Sequence, residues 1–214
     1  MIAVEEQGQG HTADIDRPLS FENTADDVAE LLRQLGIEKA DVLGFSNGGS
    51  SAMQMAIRHP QLVRKLIVCS AFYKKEGLPK AMWDFFKSPV PLDPMNMPPA
   101  LREAYLKEAP DPSHLAVVDG KLIKRLNSFK DWPDSDLKAI TAPALIVIGD
   151  KDIVMPEHAL AMSRLIPHAE LAILPGGHGE YLGEVVAAKK GSHIPGLFAE
   201  MVLEFLEAPL PTGK

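Results

Sequence analysis

The sequence predicts an α/β fold with a mostly parallel sheet, flanking helices and a helical insertion. Apolar, strand-like runs alternate with helical patterns from residue 2 to about residue 70, and again from about residue 143 to the end. This alternation is typical of parallel strands joined by crossover helices. Between the two regions, residues 72–140 differ in composition, because repeated prolines break the segment into short helical pieces. The insertion therefore divides the predicted sheet into two parts.

The predicted elements follow from short apolar runs and their flanking residues. The clearest strands are residues 40–43, 66–69, 144–149 and 171–175. The helical patterns of the core are residues 50–57 and 157–166, and those of the insertion lie near residues 80–87, 99–109 and 113–129. Short apolar runs suit strands that are buried on both faces, as in a parallel sheet.

The most informative segment is the turn Gly44-Phe45-Ser46-Asn47-Gly48-Gly49, which follows a predicted strand and opens a predicted helix. In this context the pattern G-x-S-x-G is typical of a nucleophile elbow, a strained turn that exposes the serine hydroxyl. The strain demands small residues on both sides of the serine. We expect a side chain at Gly44 or Gly48 to collide with the neighbouring strand or helix. The simpler alternative is that Ser46 only caps the helix, since serine is a favoured N-cap residue.

Two later segments favour the nucleophile over the cap. A serine hydroxyl needs a base to take its proton and an acid to orient that base. Asp152 follows the predicted strand 144–149, and His178 follows the predicted strand 171–175. Both positions are carboxyl ends of strands, where open α/β sheets place their reactive groups. We identify Ser46 as the candidate nucleophile, Asp152 as the candidate acid and His178 as the candidate base.

With these motifs the chain resembles the α/β-hydrolase superfamily, whose triad runs in the chain order nucleophile, acid, base. The resemblance extends to segments that carry no reactive group. These are residues 2–12, similar to the family's fourth strand and its glycine-rich loop; residues 21–35, similar to the following helix; and residues 59–68, similar to a helix exit and the sixth strand. The family pattern favours Asp152 over Asp150, the one serious rival for the acid. The serine at the elbow argues against the dehalogenase and epoxide hydrolase branches, which use aspartate there.

The sequence departs from the family pattern at its start. A complete member has three more strands and an oxyanion loop ahead of the segment that corresponds to Ile2, so we expect an amino-terminally truncated fold. The missing loop normally supplies one of two oxyanion donors, which leaves the backbone N–H of Asn47. Loss of one donor typically costs about 10²–10³ in kcat. We further expect the first strand to move beside the nucleophile strand, or the exposed strand edges to recruit a second copy.

The predicted domain organisation is a discontinuous core, residues 1–71 and 141–207, with a helical cap, residues 72–140, and a flexible tail, residues 208–214. Large apolar side chains of the cap can either line a substrate pocket or pack the cap against the core. They are Trp83, Phe85, Phe86, Met95, Met97, Tyr105 and Trp132. For any single one of them packing is the better interpretation, and none is assigned to a binding site.

Composition and charge narrow the functional classes. The 214 residues carry a formal net charge of −7, with a pI of about 5.5, which argues against a nucleic-acid partner. No apolar run approaches the roughly 18 residues of a membrane span, so we expect no membrane partner and a cytoplasmic location by default. The location of a longer parent stays open. Cys69 lies in an apolar run and is expected to be an inert thiol. No metal-ligand spacing occurs, so we expect neither a metal nor an organic cofactor.

The sequence therefore predicts a serine hydrolase that cleaves a small ester-type substrate through an acyl-enzyme. A carboxylesterase makes the fewest demands on residues outside the motifs, although lactones and C–C bonds remain open as substrates. The alternative is a catalytically silent hydrolase fold, in which the elbow survives only as architecture. Such a fragment would act as a binding or oligomerising scaffold, for example as a homodimer through exposed sheet edges.

Overall fold

A computed structural model of the chain describes residues 1–87 and 97–211. Four strands form one parallel sheet in the order β1-β2-β3-β4, which is also their order in the chain. They are β1, Ala40–Phe45; β2, Val63–Cys69; β3, Ala144–Gly149; and β4, Ala169–Leu174. Because the strands are parallel, their carboxyl ends meet at the same edge of the sheet. The α/β class and the parallel sheet are as the sequence predicts.

The helices of the described residues lie before, between and after these strands. They are α1, Phe21–Gln34; α2, Asn47–Arg58; α3, Lys80–Phe86; α4, Pro99–Glu108; α5, Leu115–Ser128; α6, Asp134–Lys138; α7, Pro156–Leu165; and α8, Ile194–Glu207. Helices α3, α4 and α5 agree closely with those predicted for the insertion. Helix α1 begins where the Ser20 hydroxyl accepts a hydrogen bond from the Asn23 N–H, 3.0 Å away. In the described part of the chain, no helix is long and apolar enough to cross a membrane.

Different helices cover the two faces of the sheet. On one face, Leu66 and Ile146 belong to a large core formed with α1, α2 and α7. On the opposite face, Ile67 and Val147 belong to a smaller core whose aromatic members come from α8 and from the turn that follows β4. Strands β2 and β3 are thus buried on both sides. This burial explains why residues 66–69 of β2 and residues 144–149 of β3 are continuous apolar runs rather than alternating ones.

Residues 2–12 differ from the strand expected from the family resemblance. Residues 1–6 form no strand. Instead, the Glu6 carboxylate pairs with the Arg125 guanidinium of α5 at 2.8 Å and accepts a hydrogen bond from the Thr24 hydroxyl of α1 at 3.0 Å. These contacts tie the segment to two helices rather than to the sheet. Among the described residues β1 therefore pairs with β2 alone, and the expectation that the first segment moves beside the nucleophile strand is wrong.

The insertion packs on the core through aromatic rings. Trp132 meets Phe21 of α1 edge to face, with ring centroids 6.0 Å apart, whereas Trp83 meets Phe72 and Phe129, which belong to the insertion itself, at 5.6 and 6.2 Å. Both tryptophans are buried. Trp132 therefore packs the insertion against the core and Trp83 packs within the insertion, and for both residues packing was the better of the two interpretations. Met95, the prolines at 89, 91 and 94, and tail residues 212–214 lie outside the described residues.

Candidate active site

Ser46 occupies the sharp turn between β1 and α2 with a strained backbone. Its φ is 55° and its ψ is −121°, and its N–H donates to the Cys69 carbonyl of β2 at 2.8 Å. Positive φ in a non-glycine residue costs about 1–3 kcal/mol and occurs often at functional sites. The Ser46 hydroxyl makes no capping hydrogen bond to α2. The helix-cap interpretation therefore fails, and the geometry is that of an elbow.

The glycines of this turn have unequal roles. A Cβ on Gly44 would lie 2.1 Å from the Gly48 carbonyl oxygen, so Gly44 is required, as predicted. A Cβ on Gly48 would meet nothing within 4 Å, so the collision predicted there is wrong. The second tight position is Gly49, where a Cβ would lie 2.6 Å from the Ala71 Cβ. The close approach occurs one residue later because Gly49, unlike Gly48, faces the chain that leaves β2.

The three candidate catalytic side chains form one hydrogen-bonded line. The His178 Nε2 lies 3.0 Å from the Ser46 Oγ, and its Nδ1 lies 2.7 Å from Oδ1 of Asp152. A carboxylate is only an acceptor, so in the neutral imidazole Nδ1 carries the proton and donates it to Asp152. Nε2 is then an acceptor that faces the serine hydroxyl. The arrangement can remove a proton from Ser46.

A tight turn after β4 presents His178. Gly176 and Gly179 adopt φ values of 128° and 76°, and the imidazole ring lies against the Phe45 ring with centroids 4.7 Å apart. Asp150, the rival candidate for the acid, accepts a hydrogen bond from the Gly176 N–H at 2.7 Å. Asp150 thus holds the turn, and Asp152 holds the histidine.

The Asp152 carboxylate has no solvent exposure. Burial by itself would raise its pKa, but hydrogen bonds from His178 and from the Ser70 hydroxyl outweigh burial and hold the pKa below its usual value. The Val154 N–H is a third donor, at 3.0 Å. Asp152 is therefore an ionised, well-supported partner for the imidazole. The sequence analysis did not single out Ser70. Its available signal is its position, since it is a polar residue directly after β2, and β2 lies next to β3, the strand that leads to Asp152.

Among the described residues, neither the Cys69 thiol nor a cluster of possible metal ligands forms a second reactive site. Cys69 is fully buried, and burial raises the pKa of its thiol to about 12, so it is unreactive. Within residues 1–87 and 97–211, no group of three or more His, Cys, Asp or Glu side chains is arranged to hold a metal ion.

Comparison with known sequences points to one family. A profile described as "alpha/beta hydrolase fold" matches residues 7–104. Human serine hydrolase BPHL is 25% identical over 186 residues; the match covers 83% of this chain but only 62% of that protein, less than two thirds of its length. A protein of Agrobacterium fabrum, provisionally named carbamate hydrolase RutD, is 26% identical over 227 residues, with 96% of this chain and 82% of that protein covered.

Solved structures share the architecture. The esterase EaEST from Exiguobacterium antarcticum matches with a TM-score of 0.68 and 23% identity, covering 94% of this chain and 79% of its own. The enol-lactonase from Burkholderia xenovorans matches with a TM-score of 0.67 and 19% identity, covering 94% of this chain and 78% of its own. At these identities the likeness concerns the fold.

Proposed function

Because this chain belongs to the α/β-hydrolase superfamily, we propose that it is a serine hydrolase that cleaves small ester-type substrates. The single observation that carries the proposal is the line of hydrogen bonds from Asp152 through His178 to Ser46, with distances of 2.7 and 3.0 Å. The strained backbone of Ser46 is a second support, since it places the hydroxyl on the histidine instead of on the helix.

The proposed reaction proceeds through an acyl-enzyme. The His178 Nε2 takes the hydroxyl proton as the Ser46 Oγ attacks the carbonyl carbon, and Asp152 stabilises the resulting imidazolium. The imidazolium then gives its proton to the departing alkoxide, which leaves as an alcohol and leaves the acyl group on Ser46. In the second half, Nε2 takes a proton from water, the water oxygen attacks the acyl carbon, and the protonated Ser46 and the acid are released.

The proposed oxyanion donor is the backbone N–H of Asn47, the first residue of α2. N–H groups at a helix start have no intrahelical acceptor, and the partial positive charge there favours a developing anion. An oxyanion formed by Ser46 attack arises next to this helix start. Each such donor is typically worth about 10²–10³ in kcat.

The proposal includes the division into a core, residues 1–71 and 141–207, and a cap, residues 72–140. Helices α3 to α6 all fall in the cap segment.

A small carboxylic ester is the proposed substrate class because the triad chemistry needs only an activated carbonyl and a leaving group. The relatives named above carry the words esterase, enol-lactonase and carbamate hydrolase, and these three bond types are therefore the ones to compare.

Hydrolysis of p-nitrophenyl acetate, butyrate and octanoate, alongside a lactone and an aryl carbamate, tests the proposal. We expect ester hydrolysis that is abolished by Ser46→Ala. The matched control is Ser50→Ala, since the buried Ser50 lies on the same helix and, among the residues that the structure describes, its hydroxyl bonds to the Phe72 carbonyl alone, 2.9 Å away. Equal hydrolysis by Ser46→Ala and the wild type would overturn the proposal. Preference for the lactone or the carbamate would keep the triad and change the substrate class.

A second candidate, a scaffold that dimerises through its sheet edge, is favoured by one observation. Among the described residues the outer edge of β1 has no strand partner, and Leu43 of that strand is 47% exposed. Unpaired edges readily pair with another chain. Sedimentation velocity on Ser46→Ala tests this candidate separately from catalysis. A concentration-dependent dimer that Leu43→Lys abolishes would support it, and a monomer at all concentrations would contradict it.

A further inference from the structure

Ser70, directly after β2, has an unusual backbone that aims its side chain at Asp152. Its φ is 50°, and apart from Ser46 no other non-glycine residue in the described ranges has positive φ. Its N–H donates to the Val147 carbonyl at 2.9 Å, and its hydroxyl lies 2.5 Å from Oδ2 of Asp152. Such strain persists only where the surroundings enforce it. Here it places a hydroxyl on the acid of the triad.

The two oxygens of Asp152 have different partners. Oδ1 accepts from the His178 ring and from the Val154 N–H. Among the described residues, Oδ2 accepts from Ser70 alone. The carboxylate is fully buried, so without Ser70 one of its oxygens would be charged and unpaired. A buried ionised group in that state is costly.

Tyr181, in the turn after His178, completes the arrangement. It is fully buried, and its hydroxyl lies 2.8 Å from the Ser70 hydroxyl and 3.2 Å from the Val147 carbonyl. Since Ser70 donates its only proton to the carboxylate, its oxygen accepts from Tyr181, whose single proton is shared between Ser70 at 2.8 Å and the Val147 carbonyl at 3.2 Å. The direction of donation is therefore fixed, from Tyr181 to Ser70 to Asp152.

We propose that Ser70 and Tyr181 are positioning residues of the hydrolase, which keep Asp152 ionised and its Oδ1 directed at His178. This inference rests on the proposed serine hydrolase function and extends it by two residues that touch no reacting atom. Hydroxyl chains of this kind polarise one another in a buried site. The ionisable groups that face Asp152 in the described residues are His178 and Tyr181. Cys69 lies beside Tyr181 and stays protonated.

Loss of the Ser70 or Tyr181 hydroxyl is expected to shift the pKa of Asp152, and with it the pH profile of kcat/KM, in one direction. Removing a donor from the Asp152 carboxylate raises the pKa of that carboxyl. Asp152 is then protonated at a higher pH than in the wild type and no longer supports the imidazolium. The acid limb of the kcat/KM profile must shift to higher pH, by about one unit. Ser70 and Tyr181 are both buried and not open to a ligand from solvent, so KM is expected to stay within about twofold while kcat falls about tenfold.

Ser70→Gly and Tyr181→Phe are the variants that test this inference. Glycine adopts positive φ without strain, so Ser70→Gly removes the hydroxyl while it relieves the backbone. Tyr181→Phe keeps the ring that packs on Phe198, with centroids 5.3 Å apart. The controls, Ser50→Ala and Tyr73→Phe, each remove a hydroxyl from another buried residue. We expect the upward shift of the acid limb in the two test variants and in neither control.

The measurements separate failure of this inference from failure of the proposed function. If the wild type hydrolyses esters but the test variants keep its kcat and its pH profile, the positioning role is wrong and the triad stands. If the wild type is inactive, ¹³C NMR titration of the aspartate carboxyls still follows Asp152 in the folded chain. An upward shift in Ser70→Gly would support the positioning role, and an unchanged Asp152 titration would overturn it.

Discussion

The carbonyl oxygen of Gly48 lies so near Gly44 that a Cβ added to Gly44 would be only 2.1 Å from it. A Cβ added to Gly48, in contrast, would have no atom within 4 Å. The first glycine of the elbow is therefore a steric requirement, and the second is not. The contact closes the turn that carries Ser46 between β1 and α2.

This asymmetry predicts opposite effects for two alanine substitutions. Gly44→Ala must push the start of α2 away from β1, and we expect it to lower the free energy of unfolding by about 3 kcal/mol or more. Gly48→Ala fills open space on a helix and is expected to be neutral or to stabilise by about 0.5–1 kcal/mol. Urea unfolding of both variants measures the difference. Equal destabilisation by the two would contradict the described turn.

The two aspartates after β3 predict separable phenotypes. Asp152→Asn removes the acceptor that fixes the tautomer of His178, and we expect kcat to fall by about 10³–10⁴ with the fold intact. In the described part of the chain the Asp150 side chain bonds to the Gly176 N–H alone, so Asp150→Asn is expected to cost less than about tenfold. Steady-state ester hydrolysis by each variant makes the comparison. A larger loss for Asp150→Asn would reverse the assignment of the acid.

The segment before α1 depends on a buried arginine. Arg125 has a side chain that is 2% exposed and pairs with Glu6 at 2.8 Å. Glu6→Gln leaves this buried charge without its counter-ion, and we expect a loss of about 3 kcal/mol in the free energy of unfolding. The control is Glu5→Gln, whose partner His11 is exposed; it should change stability by less than about 0.5 kcal/mol. Similar effects of both variants would show that the Glu6–Arg125 pair does not hold the segment.

The buried His158 is expected to make the free energy of unfolding depend on pH. Burial, followed by the nearby Lys74, lowers the pKa of this histidine to about 4, against a partial opposing effect of Asp131. Its Nε2 accepts the Tyr73 N–H at 3.3 Å, a bond that only the neutral ring can make. The unfolded chain binds this proton near pH 6.5, so stability is lost as pH falls from about 6.5 to 4, by about 3 kcal/mol in all.

Unfolding measured across that pH range checks the prediction in comparison with His158→Gln, which keeps an acceptor and cannot titrate. The variant should show a shallower loss of stability than the wild type. The exposed His168→Gln controls for the substitution itself. If His158→Gln follows the wild-type curve throughout, His158 does not determine the acid sensitivity.

Much of the fold and the site could be predicted because their signals are local. The elbow around Ser46 is one short stretch of chain, and Asp152 and His178 each follow an apolar strand directly. Parallel strands then bring these three loops to one edge of the sheet, so chain order was enough to group the residues.

What the sequence could not provide depends on contacts between distant segments. The tight neighbour of Gly49 is Ala71, beyond the next strand, so the preference for Gly49 over Gly48 has no local sign. The departure of residues 1–6 from a strand depends on a partner in α5, more than a hundred residues away. Ser70 and Tyr181 belong to no motif and are defined only by the buried carboxylate that they support.

Labelling of the wild-type chain with a fluorophosphonate probe, with the adduct mapped by mass spectrometry, tests the central claim most directly. The reagent reacts with a serine only when a base activates it, so the hydrogen-bonded line to His178 predicts one adduct, on Ser46, that is absent from Ser46→Ala and from His178→Ala. Ser50→Ala should label like the wild type. No adduct on Ser46 in a demonstrably folded chain would contradict an active triad.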